Sequence, residues 1–578
     1  MSVAAISVAL AGLVVQGGAS ATSPAEATQK SKWAEADPGD EITFYYGLKR
    51  HEARADRTLA RVSDPQHARY RQFPSVRRIG ERFGATKDAK RVVQKSASSA
   101  GLSFALDRTG VFARISGSVA QMAGWLGTGI LTTDQQGVRY YRADGSGEPD
   151  GLSKWIRESV SYYLAQVPGQ TLLRTAAPWH QHAASGTWVR GCKEADNSQG
   201  LSYQQLQTAY GQLARPNDRR IGRRVHLAIL ENGSGYSDAA LAHSAACFSS
   251  QGRIFSRAPV DGLEEPLPQS GEGDLDTQIA QSMVPRGSRV TVVEQLNTSG
   301  AGGSNALWFL MWSKLLELPD LPTAVTLSAG YCEEYIKRHV GAETFSLWDS
   351  VFARVGLAGV SAVAAAGDTG STSCQRDDPK NKKLSVAAPA SSPHITAVGG
   401  SHIALNPDNT RSDEVVWNDG RAGGAGAGGS SKVYDRPWYQ DRAIGKGASR
   451  SVPDLSLNAA EGSSWPVAGC GPPHEECGFQ QIWGTSAASP YFASQVAVMA
   501  AKQAISGRPP YGLLNPALYQ SRAADPATFF DIVETNNSIF NKRCCEAPTG
   551  YDQASGLGAP NFRPLYRSFT DPGVPGNG

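Results

Sequence analysis

No cysteine precedes Cys192, and no two cysteines stand in a CxxC pair anywhere in the 578 residues. That absence argues against a zinc ribbon and a thioredoxin-like redox centre. No uninterrupted run of about 18 apolar residues occurs, so no segment reads as a membrane-spanning helix. Strong net charge is missing too: 56 Lys+Arg against 53 Asp+Glu leave +3, which gives the chain as a whole no pull toward nucleic acid. Hydrophobic residues at 40% and charged residues at 19% are ordinary for a globular protein. The length implies two or three domains.

What is present is unevenly spread. Leu48 to Lys95 holds 14 Lys+Arg and 5 Asp+Glu, a local +9 that leaves −6 for the remainder. Apolar residues inside this block (Leu59, Val62, Tyr70, Phe73, Ile79, Phe83) give it the spacing of a folded module rather than a disordered arm. The chain opens MSVAAISVALAGLVVQGGASATSPAEA, a short apolar stretch followed by small residues. Residues 1–21 are expected to be a signal peptide, although Lys or Arg near the start is lacking, and the protein to be secreted and extracellular. Eight cysteines in an exported chain suggest disulfides. Cys470 and Cys477 are spaced to close a small loop, while Cys544 and Cys545 are expected to reach different partners.

Residues 40–174 alternate short strand and helix patterns and read as a small α+β module. The polar stretch 175–200 reads as a linker. In 201–578, RVHLAILENG, RVTVVEQL, TAVTLSAG, GVSAVAAAGDTG and HITAVGGS alternate with helical segments. That predicts an α/β fold, a parallel sheet with helices on both faces. Chemistry in such sheets gathers at the carboxyl ends of the strands, where Glu231 and Asp368 fall.

Three motifs carry chemistry. WGTSAASPYFASQVAVMAAKQA runs from Trp483 to Ala504, and Ser486 at the head of its helix is either a cap or a nucleophile. None of the ten histidines sits in an HGTH-like context, so the base must come from elsewhere. In GEGDLDTQIAQSM, Glu272 and Asp276 are four apart and share one helix face. On their own they could be a solvated helix start; as a close pair they would share a proton and keep one basic oxygen. In GDTG, Asp368 follows a buried strand and could, when protonated, donate to a developing oxyanion.

Together these motifs resemble the sedolisins, the serine-carboxyl peptidases. LSYQQLQTAYG, LAILENGSGY, ASSPHITAVGGS, EVVWNDGRAGGAGAGG and SVPDLSLNA are similar to family blocks and stand in the family's order. The resemblance implies a subtilisin-like fold with Ser486 as nucleophile, Glu272 as base, Asp276 orienting it, and Asp368 as oxyanion donor. It places Glu231 behind the base. The module at 40–174 is similar to the family's activation prodomain, an intramolecular inhibitor of a zymogen whose basic charge would grip an acidic enzyme until acid loosens it, with self-processing in 175–200. FFDIVETNN and CCEAPTGYDQASGLGAPN resemble the family's calcium site: carboxylates of Asp531 and Asp552 and carbonyls of Ile532, Pro548 and Gly550 around one Ca²⁺. Pro548 replaces the usual glycine. An acid optimum follows, since a histidine is protonated near pH 4 and useless as a base. The expected partners are protein or peptide substrates, with no nucleic acid and no membrane, and the enzyme is expected to be a monomer. Two rivals remain open: a catalytically silent binding protein, and a His-dependent subtilase.

Overall fold

The five apolar runs all become strands of one sheet. In the computed structural model, which describes residues 33–167, 200–298, 304–444, 447–470, 477–540 and 544–570, they lie in the order Arg289–Gln295, His226–Asn232, Ala324–Leu327, Ser361–Ala365, Thr396–Leu405. Every pairing among them is parallel. Ile254–Pro259 adds a parallel edge, Leu455–Asn458 a further parallel partner, and Arg411–Val416 an antiparallel one. The edge strand Ile254–Pro259 escaped the sequence reading because its side chains stay wet, Ile254 at 59% exposed. The signal segment 1–21, nearly all of 175–200, and Cys192 lie outside the described residues.

The strands are apolar on both faces because both are covered. Leu227 and Ile229 pack with the helices Gly271–Met283 and Thr485–Ile505 on one side. Their neighbours Ala228 and Leu230 pack on the other, with Phe309–Leu315 and Glu343–Leu357. Period-two alternation thus feeds two cores. Two strand ends open on one cleft, Ser328 just past Leu327 and Asp368 just past Ala365, while Glu231 near the end of His226–Asn232 is buried.

The N-terminal module holds two antiparallel four-stranded sheets and the helices Glu52–Ser63, Val76–Phe83, Lys87–Ser99 and Val119–Leu126. Its attachment differs from the expected charge grip. Of the fourteen basic residues between Leu48 and Lys95, only Arg50 and Arg71 are buried; the other twelve face solvent. The contact is apolar with an ionic centre, and at its edge Arg114 of the module pairs with Asp261, at 2.9 Å, and Glu317, at 3.1 Å, of the body. Glu52 pairs with Arg354 of the body, while Arg50 binds Glu158 at 2.7 Å and Ser350 Oγ at 2.6 Å. Unpaired buried cations would be too costly to desolvate, so the surplus arginines stay outside.

Among the described residues the disulfides are Cys332–Cys374, Cys470–Cys477 and Cys544–Cys545, and Cys247 is disulfide-bonded as well. The loop closed by Cys470 and Cys477 matches expectation. The adjacent pair does not: Cys544 and Cys545 join each other across a cis peptide, with Cα atoms 2.9 Å apart.

Candidate active site

Ser270 caps the helix Gly271–Met283 by accepting the Gly273 N–H at 3.1 Å. That fixes Glu272 in the first turn and Asp276 one turn on, the spacing that stacks them on one face. Asp276 is fully buried. Its Oδ1 accepts from Ser328 Oγ at 2.9 Å, while its Oδ2 has no hydrogen-bond partner. Glu272 is half-buried, yet its Oε1 is shut from solvent and also lacks a partner. Glu231, 2% exposed, presents a third such oxygen, Oε1. Unsatisfied buried oxygens are costly when charged, and the three acids respond accordingly. Burial pushes Glu272 up, with Asp368 adding and a hydrogen bond from Ser486 offsetting part. Burial pushes Asp276 up further, with repulsion from Glu272 behind it. Glu231 is raised by burial and then by Asp276 and Glu272. The repulsion among them favours the neutral forms.

Ser486 lies in the second position of the helix Thr485–Ile505 and is half-buried. Its hydroxyl does not cap the helix. It has one proton and two acceptors in reach, the Glu272 carboxyl and the Ser328 carbonyl at a long 3.4 Å. Pro490 explains part of this local structure. Having no N–H, it cannot bond the carbonyl four residues back, that of Ser486. That carbonyl accepts Ser328 Oγ instead, at 3.2 Å. Ser328 thereby ties the Ser486 helix to the Asp276 helix.

Asp368 is held from the same helix start. Its Oδ1 accepts the Thr485 N–H and the Thr485 hydroxyl, each at 2.8 Å. Thr485 Oγ1 in turn accepts the Gly367 N–H at 3.0 Å. Gly484, at φ +133°, leaves the space beside Asp368 Oδ2 open; a Cβ there would sit 3.0 Å from that oxygen. Ser328, Asp368, Thr485 and Ser486 line one cleft together with Arg376 and Asp377. Among the described residues no histidine lines it.

Sequence reasoning missed Ser328, Thr485 and Asp377. Thr485 was legible in the GTS motif, and Ser328 as the polar residue ending an apolar strand. Asp377 had no local signal; it reaches the cleft through the fold, accepts the Cys332 N–H at 2.8 Å, and is pushed up to about 6 by burial.

The raised acids have a consequence for stability. A fold that raises a carboxyl favours its neutral form, so its stabilisation is full below the ordinary carboxylate range and drains as pH rises through the raised value. In full-length protein silenced by Ser486→Ala, the melting temperature is therefore expected to fall between pH 5 and pH 8. Glu231→Gln should recover part of that loss at pH 8, roughly 2–4 °C per kcal/mol, and none at pH 5. Equal melting temperatures at pH 8 would mean that Glu231 carries no charge there.

The proposed calcium ligands fall on two segments. Asp531 Oδ2 accepts the Gly550 N–H at 2.9 Å. Its Oδ1 is buried without a hydrogen bond, Arg522 standing 3.1 Å away outside hydrogen-bond geometry. Asp552 accepts Ala554 N, Ser555 N and Ser555 Oγ at 2.7–2.8 Å. Burial pushes it up to about 6, and Asp531 adds to the rise. A half-buried acid beside the buried Asp552 offers oxygens that suit a hard cation, with the Arg522 guanidinium facing Asp531 in an ion pair. Among the described residues no three His, Cys, Asp or Glu side chains form a metal cluster, so backbone carbonyls would have to complete the shell.

Residues 28–158 match the family model of the Pro-kumamolisin activation domain. Kumamolisin of Bacillus sp. (strain MN-32) is 33% identical over 352 residues, 59% of each chain. Tripeptidyl-peptidase 1 of Rattus norvegicus is 30% identical over 283 residues, 46% of each chain. Sedolisin of Pseudomonas sp. (strain 101) is 29% identical over 301 residues, 50% of this chain and 48% of sedolisin. The matches therefore span about half to three fifths of these relatives' length. A solved structure of Pseudomonas sedolisin, a serine-carboxyl proteinase complexed with two molecules of pseudo-iodotyrostatin, superposes with a TM-score of 0.55 at 23% identity. It covers 65% of this chain and 99% of that one. In sequence the chain is thus similar to kumamolisin and sedolisin, its fold is like that of sedolisin, and residues 28–158 match the Pro-kumamolisin activation domain.

Proposed function

We propose that the protein is a secreted, monomeric peptidase of weakly acidic surroundings, made as a self-processing zymogen, that cuts peptide bonds through an acyl-enzyme on Ser486. One observation supports this above the others: in a cleft lined by Ser486 and Asp368, the Ser486 hydroxyl hydrogen-bonds Glu272, which shares a helix face with the buried Asp276. In this reading Ser486 Oγ attacks the scissile carbonyl carbon and its proton passes to Glu272. Asp276 shares the resulting charge change through the coupled pair. The new oxyanion takes a hydrogen bond from the protonated Oδ2 of Asp368, the oxygen that Thr485 leaves free. Collapse expels the amine, which takes the proton back from Glu272. Water then repeats the sequence on the ester. The test is intact-mass analysis of processed enzyme quenched in acid during turnover of a short peptide ester. The expected result is a mass increase on Ser486 equal to the acyl group. No adduct during verified turnover would overturn the acyl-enzyme.

The family's names for its relatives, kumamolisin and tripeptidyl-peptidase, fit peptide substrates. Cleavage is placed in 175–200, after the module at 40–174 and before the body at 201–578. Calcium belongs to the same proposal, held by Asp531, Asp552 and the carbonyls of Ile532, Pro548 and Gly550. Its contribution would be structural, neutralising the two acids and joining their segments. A ligand that binds only the folded state stabilises it by mass action. Chelation is therefore expected to lower the melting temperature by more than 5 °C, roughly 2 kcal/mol or more, with calcium restoring it. Asp552→Asn should melt at the chelated temperature with or without calcium. A wild type unmoved by chelator would remove the ion from the proposal.

A further inference from the structure

Among the described residues Arg376 is the only Lys or Arg that lines the cleft, whose other walls are acids, hydroxyls and small side chains. Arg376 is exposed, and among the described residues its guanidinium makes no hydrogen bond and no ion pair. It is nevertheless near enough to act on two carboxyls of the site. Glu272 and Asp377 are each raised first by burial, and Arg376 offsets part of the rise in both.

The backbone under Arg376 is set before any ligand arrives. Cys374 opens the short helix Cys374–Asp377 and is disulfide-bonded to Cys332, another lining residue. The Cys374 N–H donates to Ser385 Oγ at 3.0 Å. At the other end of the helix Asp377 accepts the Cys332 N–H at 2.8 Å. Along the two strand ends the cleft is lined by Ala329, Gly330, Ala365, Ala366 and Gly367, which leave space for a side chain from outside. In the reaction proposed above, the carbonyl carbon under attack sits at Ser486 and its oxygen turns to Asp368. The side chain of the residue that owns this carbonyl then enters the depression that Ser486 and Asp368 share with Arg376.

We propose that Arg376 selects substrates with a carboxylate side chain, aspartate or glutamate, on the acyl side of the bond that is cut. The proposal rests on the peptidase reading of this cleft and names its substrate class. A guanidinium presents a planar fork that takes both oxygens of a carboxylate in parallel hydrogen bonds. The acids on neighbouring elements are engaged elsewhere. On the helix Glu333–His339, packed beside Cys374–Asp377, Glu333 accepts Ser431 Oγ at 2.6 Å and the Lys432 N–H at 2.8 Å, while Glu334 pairs with Arg338 at 2.7 Å. Glu272 takes the Ser486 hydrogen bond, and Asp368 those of Thr485. Asp377, pushed up to about 6 by burial, is mostly neutral in weak acid and leaves the guanidinium to the substrate. A glutamate side chain of the substrate ionises lower, near pH 4.3, so the pair forms in the interval between the two. Past Asp377 the chain continues the positive surface: Lys380, Lys382 and Lys383 line a neighbouring depression, with Asp378 accepting the Lys380 N–H.

The test is kcat/KM of processed enzyme on short peptides blocked at both ends and identical except for the acyl-side residue, Glu, Gln, Leu or Lys, with the cut bond read by mass spectrometry. At about pH 5.5 Glu is expected to exceed Gln roughly tenfold, the scale of a hydrogen bond to a charged group, with Lys slowest. Near pH 3 the peptide's carboxyl is neutral, and the Glu:Gln ratio should fall toward one. Arg376→Gln should bring the ratio to about one at both pH values, whereas Arg376→Lys, which keeps the charge without the fork, should retain part of it. The ratio is the readout because Arg376 also acts on Glu272, an effect common to all the peptides. A wild-type ratio of one at pH 5.5, or a ratio that survives Arg376→Gln, would overturn the proposal. So would an acid preference confined to the leaving side, read with a second set varied there, or one that needs a free C-terminal carboxylate, read with unblocked peptides. If the short peptides are poor substrates, the sites cut in an unfolded protein are mapped instead, and Asp and Glu should be enriched on the acyl side. Should nothing be cut at all, the peptidase reading fails by itself. The Glu and Gln peptides are then compared by calorimetric binding to the same protein, where tighter binding of the Glu peptide supports the role of Arg376 and equal affinity overturns it.

Discussion

Glu272→Gln should silence the processed enzyme, lowering kcat/KM by roughly 10²–10⁴-fold, the range for loss of a general base. The side chain keeps its shape, so the cleft is unchanged, but no basic oxygen remains to take the Ser486 proton. The substitution also removes a buried acid that the fold raises, so the melting temperature at neutral pH should not fall. Activity lost from a folded protein is what separates a chemical role from a structural one. The pH profile adds a second check. Because burial lifts both Glu272 and Asp276, activity should decline on the acid side above the ordinary carboxylate range, placing the optimum in weak rather than strong acid. A His-dependent subtilase would tolerate the change and peak near pH 8. The hydrogen bond between the Ser486 hydroxyl and Glu272 stands against that rival. Wild-type protein that is verified as processed yet inert at every pH would instead favour a silent binding protein.

How much of this was readable beforehand depends on range along the chain. The parallel sheet was legible because each core strand is a short run apolar on both faces, and Leu227 to Leu230 show why: alternate residues feed two covered layers. Glu272 and Asp276 were legible because helical periodicity is local. Asp377 was not, since it acts on Cys332, dozens of positions away, and lies in no periodic pattern. The basic block misled for a related reason. Charge counts along a segment carry no information about which residues face inward, and here nearly all of the arginines and lysines turned out to face water. The apolar residues within the same segment, Leu59, Phe73 and Phe83, were the better guide to docking. Adjacent Cys544 and Cys545 were assigned to separate partners from spacing alone, which says nothing about the peptide geometry that joins them.

Asp368→Asn should change the shape of the pH profile as well as its height. In the proposed reaction the oxyanion donor is the acid O–H of Asp368, which a carboxylate does not supply. Asparagine donates an N–H at every pH. Its Oδ1 can still accept both bonds from Thr485, which orients Nδ2 toward the space beside Gly484 where the acid proton would have been. Any part of a decline toward neutrality that comes from loss of that O–H should therefore flatten in the Asn variant. Height should drop as well, by about 10-fold, since an amide is a weaker donor than a carboxylic acid. Asp368→Ala, with no donor, should cost roughly 10²–10³-fold in kcat, the usual loss for an oxyanion-hole group. The two variants together decide the assignment. If Asn and Ala are equally impaired and both keep the wild-type alkaline decline, the group that titrates there is not Asp368, and its contact with Thr485 merely shapes the helix start. If Asn alone retains activity and loses the decline, the proton on Asp368 is what the enzyme needs acid for.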